Sequence, residues 1–597
     1  MITQTHSPSQ QLSDWLSTFT ATLDQSDFNS TIDLFADECF WRDLVSFTWN
    51  IKTAEGKSDI QAMLEATVPQ AKPSHWQMED TVDVFDDYIS GWFTFETNVA
   101  QGRGHIRLKD GQCWTLFTSM TELKGFEEKK GYQRVPGTDH GAFKNRRSWL
   151  ELKQEEEASL GYTQQPYCVI IGGGQGGIAL AARLRRLEVP TIIVEKNERA
   201  GDSWRKRYKT LCLHDQIWQN HLPYLPFPDD WPVYIPKDKM GDLLESYTKI
   251  MELNYWISTE CKGASYDEAT ETWHVIVERE GKQVTLQPKQ LVLATGMSGK
   301  PNIPSFPGQD GFQGEIHHSS QHDGADGYSG KQCIVLGSNN SAHDICGALW
   351  ENGADVTMVQ RSPTMVVKSE SLFAGSSYSE DSAQKGLSTH QIDMMGASMP
   401  NKLQAQRSMA HLTAIRQRDA NFYARLEKAG FLLDFSEDGA SLGIKYMRRG
   451  SGYYIDVGAS DLIADGEIKL RSGVNIAEIT ETGVILTDGR ELPADLIVLA
   501  TGYGSMNGWA AKLISQEVAD TVGKVWGLGS DTKYDPGPWE GEARNMWKPT
   551  QQPGLWFQGG NLQQARFYSI AMALQIKARM EGLPTPVYEL AEVYHLH

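Results

Sequence analysis

Residues 167–187 read YCVIIGGGQGGIALAARLRRL, and this stretch decides the fold. A short apolar, β-branched run (167–171) precedes a glycine-rich turn, and a segment of helical character follows. Strand, glycine turn and helix in this order form the fingerprint of a dinucleotide-binding βαβ unit. Gly172 permits the tight turn, Gly174 lets the backbone approach a pyrophosphate, and Gly177 allows close packing of the helix. Free N–H groups at the start of the helix favour an anion there.

The next strand supports this interpretation. Residues 191–194 are apolar, and Glu195 follows them at the spacing of about 20 residues that the fingerprint requires. A carboxylate at this position accepts hydrogen bonds from the hydroxyl groups of a ribose. Turn, helix and acid together predict a bound adenine dinucleotide.

A second unit of the same kind follows at residues 333–360. Its turn (337–342) reads GSNNSA, so Gly337 is retained while Asn339 and Ala342 replace the second and third glycines. The fingerprint is degraded, and on its own this turn only suggests a nucleotide site.

The end of the second strand in this unit indicates which nucleotide it binds. The strand runs into Gln360, Arg361 and Ser362, without a carboxylate. A guanidinium and a hydroxyl suit a 2′-phosphate, whereas an acid at this point would repel it. We therefore predict NADPH rather than NADH; the alternative is an exposed loop arginine without a ligand.

Each unit also contains a late apolar strand that ends in Ala-Thr-Gly. These strands read LVLATG at residues 291–296 and LIVLATG at residues 496–502. A small residue followed by glycine lets a cofactor or a crossing chain come close to the backbone. Because the second unit lies between the two strands, the first domain is predicted to be interrupted and then completed by the C-terminal segment.

The first 150 residues form a separate unit. Helical periodicity that includes Ile32 and Phe35 gives way to alternating β-rich stretches, which predicts an α+β domain. The acidic stretch LKQEEEASLGYTQQ that follows suits a linker or an exposed helix. The predicted fold class is α/β, with two Rossmann-like dinucleotide-binding domains preceded by the α+β domain. The predicted boundaries are 1–150 for the α+β domain, 151–165 for the linker, 166–300 and 491–597 for the two parts of the FAD-binding domain, and 301–490 for the NADPH-binding domain.

The composition excludes several classes of protein. The 597 residues carry 56 Lys and Arg against 76 Asp and Glu, a formal charge of −20, so the chain as a whole repels nucleic acids and anionic membranes. No apolar run reaches the roughly 18 residues of a membrane helix, and the start MITQTHSPSQQ lacks the pattern of a signal peptide. Seven scattered cysteines without a Cys-x-x-Cys pair argue against a disulfide framework, a zinc ribbon or a dithiol redox centre. We predict a cytoplasmic protein that binds neither nucleic acid nor membrane.

Residues 166–582 resemble the flavin-containing monooxygenases, a family that includes the plant YUCCA enzymes. The resemblance rests on the first glycine turn, on GDSWRKRYKTLCLHD (201–215) and LPYLPFPDDWPVYIPKDKMGDLLESY (222–247), and on GLWFQGGNLQQARFYSIAMALQI (554–576). Phe312, Gly314 and His318 add a motif that lies between the two nucleotide units, as it does in that family.

The resemblance implies an enzyme that binds FAD and NADPH and transfers one atom of O2 to a small organic substrate through a C4a-hydroperoxyflavin. It implies that Trp204 and Arg205 line the FAD. The candidate catalytic residues are His214, which can also be a core histidine, and Asn339. The other predicted cofactor-binding residues are Gly172, Gly174, Gly177, Glu195, Thr295, Gly296, Gly337, Ser338, Ser341, Arg361, Gly502, Asn561 and Gln564.

One position departs from the family pattern. Four residues after His318, heteroatom oxidisers carry Tyr or Phe and Baeyer–Villiger enzymes carry Trp, but this chain has His322, which leaves the substrate subclass open. His317, His318 and His322 suggest a metal site, yet no carboxylate is spaced to complete it. We predict no metal.

The N-terminal stretch LFADECFWRDLVSFTWNIKTAEGKSDI (34–60) resembles the nuclear transport factor two-like, or SnoaL-like, cone fold. Relatives of this cone include enzymes and dimerisation modules, so a homodimer formed through this domain is a further prediction. Asp43 is either a pocket acid beside the apolar wall of Trp41 or a structural carboxylate next to a core tryptophan.

Two alternatives to the monooxygenase stay open. An NADPH oxidase that releases hydrogen peroxide would share every cofactor motif. A ligand-binding or assembly protein with a vestigial flavin half would account for the degraded second turn. The aromatic and proline-rich segment 218–236 is either a lid or an ordered surface loop.

Overall fold

The computed structural model describes residues 6–137, 141–532, 535–590 and 592–593. Its N-terminal part is an α+β unit. The helices are α1 (Pro8–Asp24), α2 (Phe28–Asp33) and α3 (Gly56–Ala71). The strands are β1 (Phe35–Leu44), β2 (Ile51–Glu55), β3 (Ser74–Val84), β4 (Ile89–Glu96), β5 (Ala100–Lys109) and β6 (Gln112–Leu123). They form one sheet in the order β2-β1-β6-β5-β4-β3, antiparallel except between β1 and β6.

Aromatic side chains fill the space between these helices and the sheet. The core contains Trp15, Phe19, Phe35, Trp41, Phe47, Phe93 and Phe95. Phe35 is part of β1 and not of a helix, because its pairing with Cys113 in β6 prevails over the local helical period.

Of the two roles considered for Asp43, pocket acid and structural carboxylate, the structure agrees with the structural carboxylate. It is fully buried and accepts hydrogen bonds from the backbone N–H groups of Phe47 and Thr48 and from the Thr48 and Thr118 hydroxyls, at 2.6–3.0 Å. Trp41 is fully buried and donates its indole N–H to Thr118 at 2.9 Å. Neither side chain faces an open pocket.

A helix, α4 (Trp149–Ser159), occupies much of the predicted linker and leads into the first dinucleotide unit. The helices of this unit are α5 (Gln175–Arg186), α6 (Asp202–Arg205) and α7 (Lys237–Ile250). Its strands are β7 (Cys168–Ile171), β8 (Thr191–Val194), β9 (Tyr255–Trp256), β10 (Thr259–Asp267), β11 (Thr272–Arg279), β12 (Lys282–Leu286) and β13 (Gln290–Leu293). The order β13-β7-β8-β9 is wholly parallel, and β10 to β12 form a separate antiparallel sheet.

The second dinucleotide unit contains a parallel sheet and further strands outside that sheet. Its strands are β14 (Glu315–His318), β15 (Gln332–Leu336), β16 (Asp355–Gln360), β17 (Met365–Lys368), β18 (Tyr453–Asp456), β19 (Lys469–Ser472), β20 (Ile476–Thr480), β21 (Gly483–Leu486), β22 (Glu491–Pro493) and β23 (Leu496–Leu499). Its helices are α8 (Asn340–Glu351), α9 (Ser369–Leu372), α10 (Glu380–Gln384), α11 (Thr389–Ala397), α12 (Asn401–Arg418), α13 (Ala420–Lys428), α14 (Leu442–Arg449) and α15 (Ala459–Ala464).

The order of this second sheet is β14-β23-β15-β16-β19. The LIVLATG strand β23 therefore pairs with β15 of the second unit, so this unit extends past residue 490, where the sequence pattern placed its end. The C-terminal segment then adds α16 (Asn507–Leu513), α17 (Gln516–Val522), β24 (Leu555–Phe557) and α18 (Leu562–Met580). Strand β24 pairs with β13 at the edge of the first sheet.

Other segments of the chain cover the outer face of the N-terminal sheet. Phe40 and Trp114 pack against Met399, just before α12, and Leu403, in the first turn of α12. Arg42 forms a buried ion pair with Glu542, and the Nε–Oε1 distance is 2.6 Å. The N-terminal domain is therefore built onto the dinucleotide-binding part. No helix within the described ranges is long and apolar enough to cross a membrane.

Candidate functional site

The first glycine turn holds helix α5 tightly against the sheet. Gly172 has a φ of +109°, and a Cβ there would lie 2.4 Å from the Ala294 carbonyl oxygen. A Cβ on Gly177 would lie 2.1 Å from the Gly172 carbonyl oxygen. Beside Gly174, by contrast, Ser203 Oγ at 3.8 Å is the one described heavy atom within 4 Å of a Cβ. Two glycines therefore serve packing, and the third leaves open space at the N-terminus of α5, where N–H groups suit an anion.

The second turn repeats this geometry. A Cβ on Gly337 (φ +135°) would lie 2.4 Å from the Ala500 carbonyl oxygen. The Gly337 N–H donates to the Val359 carbonyl at 2.9 Å, just as the Gly172 N–H donates to Val194 at 2.9 Å. The second turn therefore retains Gly337, the position at which the backbone passes too close to Ala500 for a side chain.

Glu195 is fixed beside the first turn. Its Oε2 accepts from the Gly173 N–H at 2.7 Å, and its Oε1 accepts from the backbone and side-chain N–H groups of Asn197 at 2.9 and 2.7 Å. The carboxylate is almost fully buried at the end of β8. Oε2 keeps acceptor capacity for a ribose hydroxyl.

Trp204 and Arg205 differ in what they offer a ligand. The Trp204 indole N–H donates to Gln175 at 3.2 Å, which places its ring next to the glycine turn. Arg205 makes five hydrogen bonds to protein acceptors, so it stabilises the loop and has no free N–H for a cofactor. Its partners are Ala200, Asp202, Asp242 and Glu245.

Buried polar atoms without partners lie near the first turn. Among the described residues, Thr295 Oγ1 and Gln558 Oε1 are buried and have no hydrogen-bond partner. Thr295 follows the alanine that touches Gly172, and Gln558 packs on Gly176 at 3.5 Å from its Cβ position. Unsatisfied buried groups are rare, so these atoms fit a polar ligand beside the turn.

The two Ala-Thr-Gly strands end in left-handed glycines. Gly296 has a φ of +83° and Gly502 a φ of +82°. The Gly502 carbonyl oxygen accepts from the Asn302 N–H at 2.9 Å and lies 3.1 Å from His318 Nε2. His318 therefore fixes the connection between the two units.

The predicted residues of the second unit lie around the start of α8 and the end of β16. Ser338 Oγ is hydrogen-bonded to Thr364 Oγ1 at 2.7 Å. Asn339 is the N-cap residue of α8, but its side chain makes no capping hydrogen bond, and Ser341 lies in the first turn. Arg361 is exposed directly after β16 and forms no ion pair with a carboxylate in the described part of the chain.

His214 joins the two units. Its Nε2 lies 3.4 Å from Asp344 Oδ2 in α8, and the Tyr208 hydroxyl donates to the same oxygen at 2.6 Å. Burial lowers the pKa of His214, but the hydrogen bond and charge of Asp344 outweigh it, so the net shift is upward. Nδ1 of His214 is buried and makes no hydrogen bond within the described ranges.

Asn561 and Gln564 form a capping box at the N-terminus of α18. Asn561 Oδ1 accepts from the Gln564 N–H at 2.9 Å, and the Asn561 N–H donates to Gln564 Oε1 at 3.3 Å. Their side chains thus serve the helix, and the backbone N–H groups of its first turn are the donors left for a cofactor.

Sequence reasoning missed two polar residues, Tyr446 beside the N-terminus of α18 and Asp215 beside His214. Tyr446 of α14 donates to Gln564 Oε1 at 3.0 Å, and its hydroxyl lies 3.8 Å from Met297 Sδ. Asp215, next to His214, is partly buried; burial raises its pKa, although the charge of His214 lowers it. Asp215 stands inside the quoted motif 201–215 and could have been chosen, whereas Tyr446 lies in a polar stretch without a motif.

The three histidines after Phe312 form no ion pair with a carboxylate of the described residues, although the charges of Glu315 and Asp323 act on His317 and His322. His317 Nε2 lies 3.1 Å from His322 Nδ1, and burial lowers the pKa of both rings. In the part of the chain that the structure describes, no group of three His, Cys, Asp or Glu side chains is placed to hold a metal ion.

A large cleft lies away from both turns, between the N-terminal domain and the dinucleotide-binding part. We call it the seam cleft; its volume is about 1260 Å³. It is lined by β6 of the N-terminal domain, the C-terminal end of α5, residues 221–226, residues 383–394 and the first half of α18. None of its lining residues belongs to the turns at 172–177 or 337–342.

The amino-acid sequence is similar to those of known proteins. Residues 169–426 match the family described as pyridine nucleotide-disulphide oxidoreductase. The chain is 32% identical over 345 residues to indole-3-pyruvate monooxygenase YUCCA1 of Oryza sativa subsp. japonica, which covers 58% of this chain and 78% of the relative. It is 29% identical to the probable indole-3-pyruvate monooxygenase YUCCA10 of Arabidopsis thaliana, over 56% of this chain and 81% of the relative.

A solved structure shares the fold. The open crystal structure of cyclohexanone monooxygenase aligns with a TM-score of 0.51 at 17% identity, over 70% of this chain and 88% of that one. At this identity the likeness concerns the fold alone.

Proposed function

This chain belongs to the flavin-containing monooxygenase family, and from that premise we propose that it is an FAD-dependent NADPH monooxygenase that acts on a small organic substrate. The observation that carries the proposal is the duplicated turn geometry, in which Gly172 meets Ala294 and Gly337 meets Ala500 at the same distance of 2.4 Å. Two such units in one chain suit two dinucleotides.

The first unit is proposed to hold FAD. The N–H groups at the start of α5 suit its pyrophosphate, Glu195 its ribose, and the unpartnered Thr295 and Gln558 atoms its polar edge. When bound, FAD supplies the redox chemistry, in which a hydride comes from NADPH and O2 is activated. The proposal includes the C4a-hydroperoxyflavin route that the family resemblance implies.

The second unit is proposed to hold NADPH. The start of α8, with Ser338 and Ser341, suits the pyrophosphate. Arg361 is exposed and forms no ion pair among the described residues, so it suits the 2′-phosphate. His214 and Asn339 remain the proposed catalytic residues, because His214 Nδ1 and the Asn339 amide are both free of capping or pairing bonds within the described chain.

The N-terminal domain is proposed to be a cone of the nuclear transport factor two-like type, which the helices over a six-stranded sheet support. The homodimer through this domain stays a prediction, and because the chain covers the outer sheet face, such a dimer would need another surface. A cytoplasmic location is also retained as a prediction.

The test is an anaerobic reduction followed by mixing with O2. We expect purified protein to retain FAD, NADPH to reduce it faster than NADH does, and reoxidation with a suitable nucleophile or ketone to yield oxygenated product. Stoichiometric hydrogen peroxide with every substrate tested would favour the oxidase instead. Protein that binds no flavin, even after incubation with FAD, would overturn the proposal.

A further inference from the structure

Two arginines on helix α5 face the seam cleft without acidic partners. Arg183 and Arg186 both line the cleft, and neither forms an ion pair with a carboxylate of the described residues. Their neighbour Arg185 points elsewhere and binds Glu156 with an NH2–Oε2 distance of 3.0 Å. Like charges three positions apart on a helix repel each other.

Arg183 is only partly solvated. Its Nε is buried and has no hydrogen-bond partner among the described residues. An unsatisfied charged donor is costly, and a bound anion would remove that cost. The helix C-terminus itself favours basic residues, but its dipole does not satisfy a buried N–H.

The loop opposite these arginines is held in a strained conformation. Tyr224 has a φ of +67°, which a non-glycine residue rarely adopts. Its ring lies 4.5 Å from the Arg183 guanidinium and 5.4 Å from that of Arg186, and its hydroxyl donates to Glu128. Arg566 of α18 fixes the preceding residues by donating to the carbonyls of Gln219 and His221.

This arrangement leaves the cleft basic at one end. Six basic and four acidic side chains line it, and the pairs Arg566–Asp393 and Lys130–Glu122 neutralise each other. His221 adds no charge at neutral pH, because burial and Arg566 lower its pKa to about 4 and its Nδ1 accepts from the Phe227 N–H. Lys129 pairs with Glu188, so the lining cations that form no ion pair in the described chain are Arg134, Arg183 and Arg186. Of these, Arg183 and Arg186 lie together on α5.

The rest of the cleft offers an apolar surface from two domains. Leu44 and Met120 come from the N-terminal sheet, and Ile570, Ala571 and Leu574 come from one face of α18. A volume of about 1260 Å³ exceeds that of a single ion and admits an organic molecule.

We propose that the seam cleft is a binding site for an amphipathic organic anion. Arg183 and Arg186 bind the carboxylate or sulfonate, and the apolar body lies between the N-terminal domain and α18. The N-terminal domain then supplies one wall of a ligand site. This inference does not depend on the proposed oxygenation, because binding needs neither NADPH nor O2.

The test is calorimetric titration of the oxidised protein with 1-naphthalenesulfonate and, separately, with its neutral isostere 1-naphthalenesulfonamide. We expect the sulfonate to bind more tightly than the sulfonamide. Arg183→Gln and Arg186→Gln should each weaken sulfonate binding by about tenfold or more, since each removes a charge-assisted hydrogen bond. Both should leave sulfonamide binding within about twofold, because the apolar walls are unchanged.

The matched control is Arg490→Gln, an exposed arginine paired with Asp488 outside the cleft, which should change neither titration. Arg186 is exposed, so its variants should fold, and the charge reversal Arg186→Glu should abolish sulfonate binding while sulfonamide binding persists. Equal affinities for the two compounds, or an unchanged sulfonate affinity in Arg186→Gln, would overturn the assignment.

Discussion

Substitution of Arg42 by methionine should separate the N-terminal domain energetically from the rest of the chain. The Arg42 and Glu542 side chains are only 2% and 4% exposed, and Arg42 also donates to the Ala397 carbonyl at 2.6 Å and to the Tyr568 hydroxyl at 3.0 Å. The variant leaves Glu542 buried with hydrogen bonds from Thr53 and Asn401 but without its ion-pair partner, and the remaining charge that acts on it is that of the buried Lys548. Breaking a buried ion pair in this way costs about 3–5 kcal/mol of the free energy of unfolding.

The assay is urea unfolding followed by tryptophan fluorescence in a double-mutant cycle of Arg42→Met and Glu542→Gln. The matched control is Lys402→Met, which removes a 2.9 Å ion pair with Glu55 at the same junction; Lys402 is 47% exposed, so its loss should cost below about 1 kcal/mol. The reasoning is refuted if Arg42→Met costs no more than Lys402→Met, or if the coupling energy is below about 0.5 kcal/mol.

Three further predictions concern the nucleotide units. Arg361→Ala should weaken NADPH binding about tenfold in anaerobic flavin-reduction titrations and leave NADH unchanged, with Arg490→Ala as control; equal effects on both nucleotides would contradict the 2′-phosphate contact. Purified Gly177→Ala protein should show little bound-flavin absorbance, because the new Cβ would lie 2.1 Å from the Gly172 carbonyl oxygen. Gly396→Ala protein should retain its flavin, because no described heavy atom lies within 4 Å of the new Cβ. His214→Asn should lower the thermal midpoint most below about pH 6.5, where the histidine is charged in both the folded and the unfolded chain, and the difference in midpoint from the unaltered protein should fade as the pH rises through the raised pKa of His214. A difference in midpoint that does not change with pH would contradict the charged pair of His214 and Asp344.

Both glycine turns could be predicted because they depend on local backbone geometry. Gly172 and Gly337 have left-handed φ angles that the neighbouring strands impose, so the chain must place glycine there. The spacing from the first turn to Glu195 is likewise set by one helix and one strand. Short-range constraints of this kind leave a pattern that can be recognised in a single sequence.

The junctions between domains could not be predicted in this way. Arg42 and Glu542 are 500 positions apart, and neither stands in a motif. Strand β23 pairs with β15 of the second sheet, but its sequence, LIVLATG, is equally suited to a strand of the first sheet, so the sequence alone does not assign it. The motif that Arg205 shares with the family predicts a cofactor ligand, but three carboxylates from α6 and α7 accept hydrogen bonds from its guanidinium.

The late arrival of β24 sets an order of events during synthesis. Roughly 260 residues separate it from its neighbour β13, so at translation rates of about 5–20 residues per second the first sheet lacks its edge strand for about 13–50 s. Arg42 is without Glu542 for even longer, and the contacts of residues 588 and 589 with Thr48, Asn50 and Lys52 form later still. Until these segments are made, a nascent chain exposes an unpaired strand edge and an arginine without its ion-pair partner, and a truncation before residue 542 yields a species that chaperones and proteases can recognise.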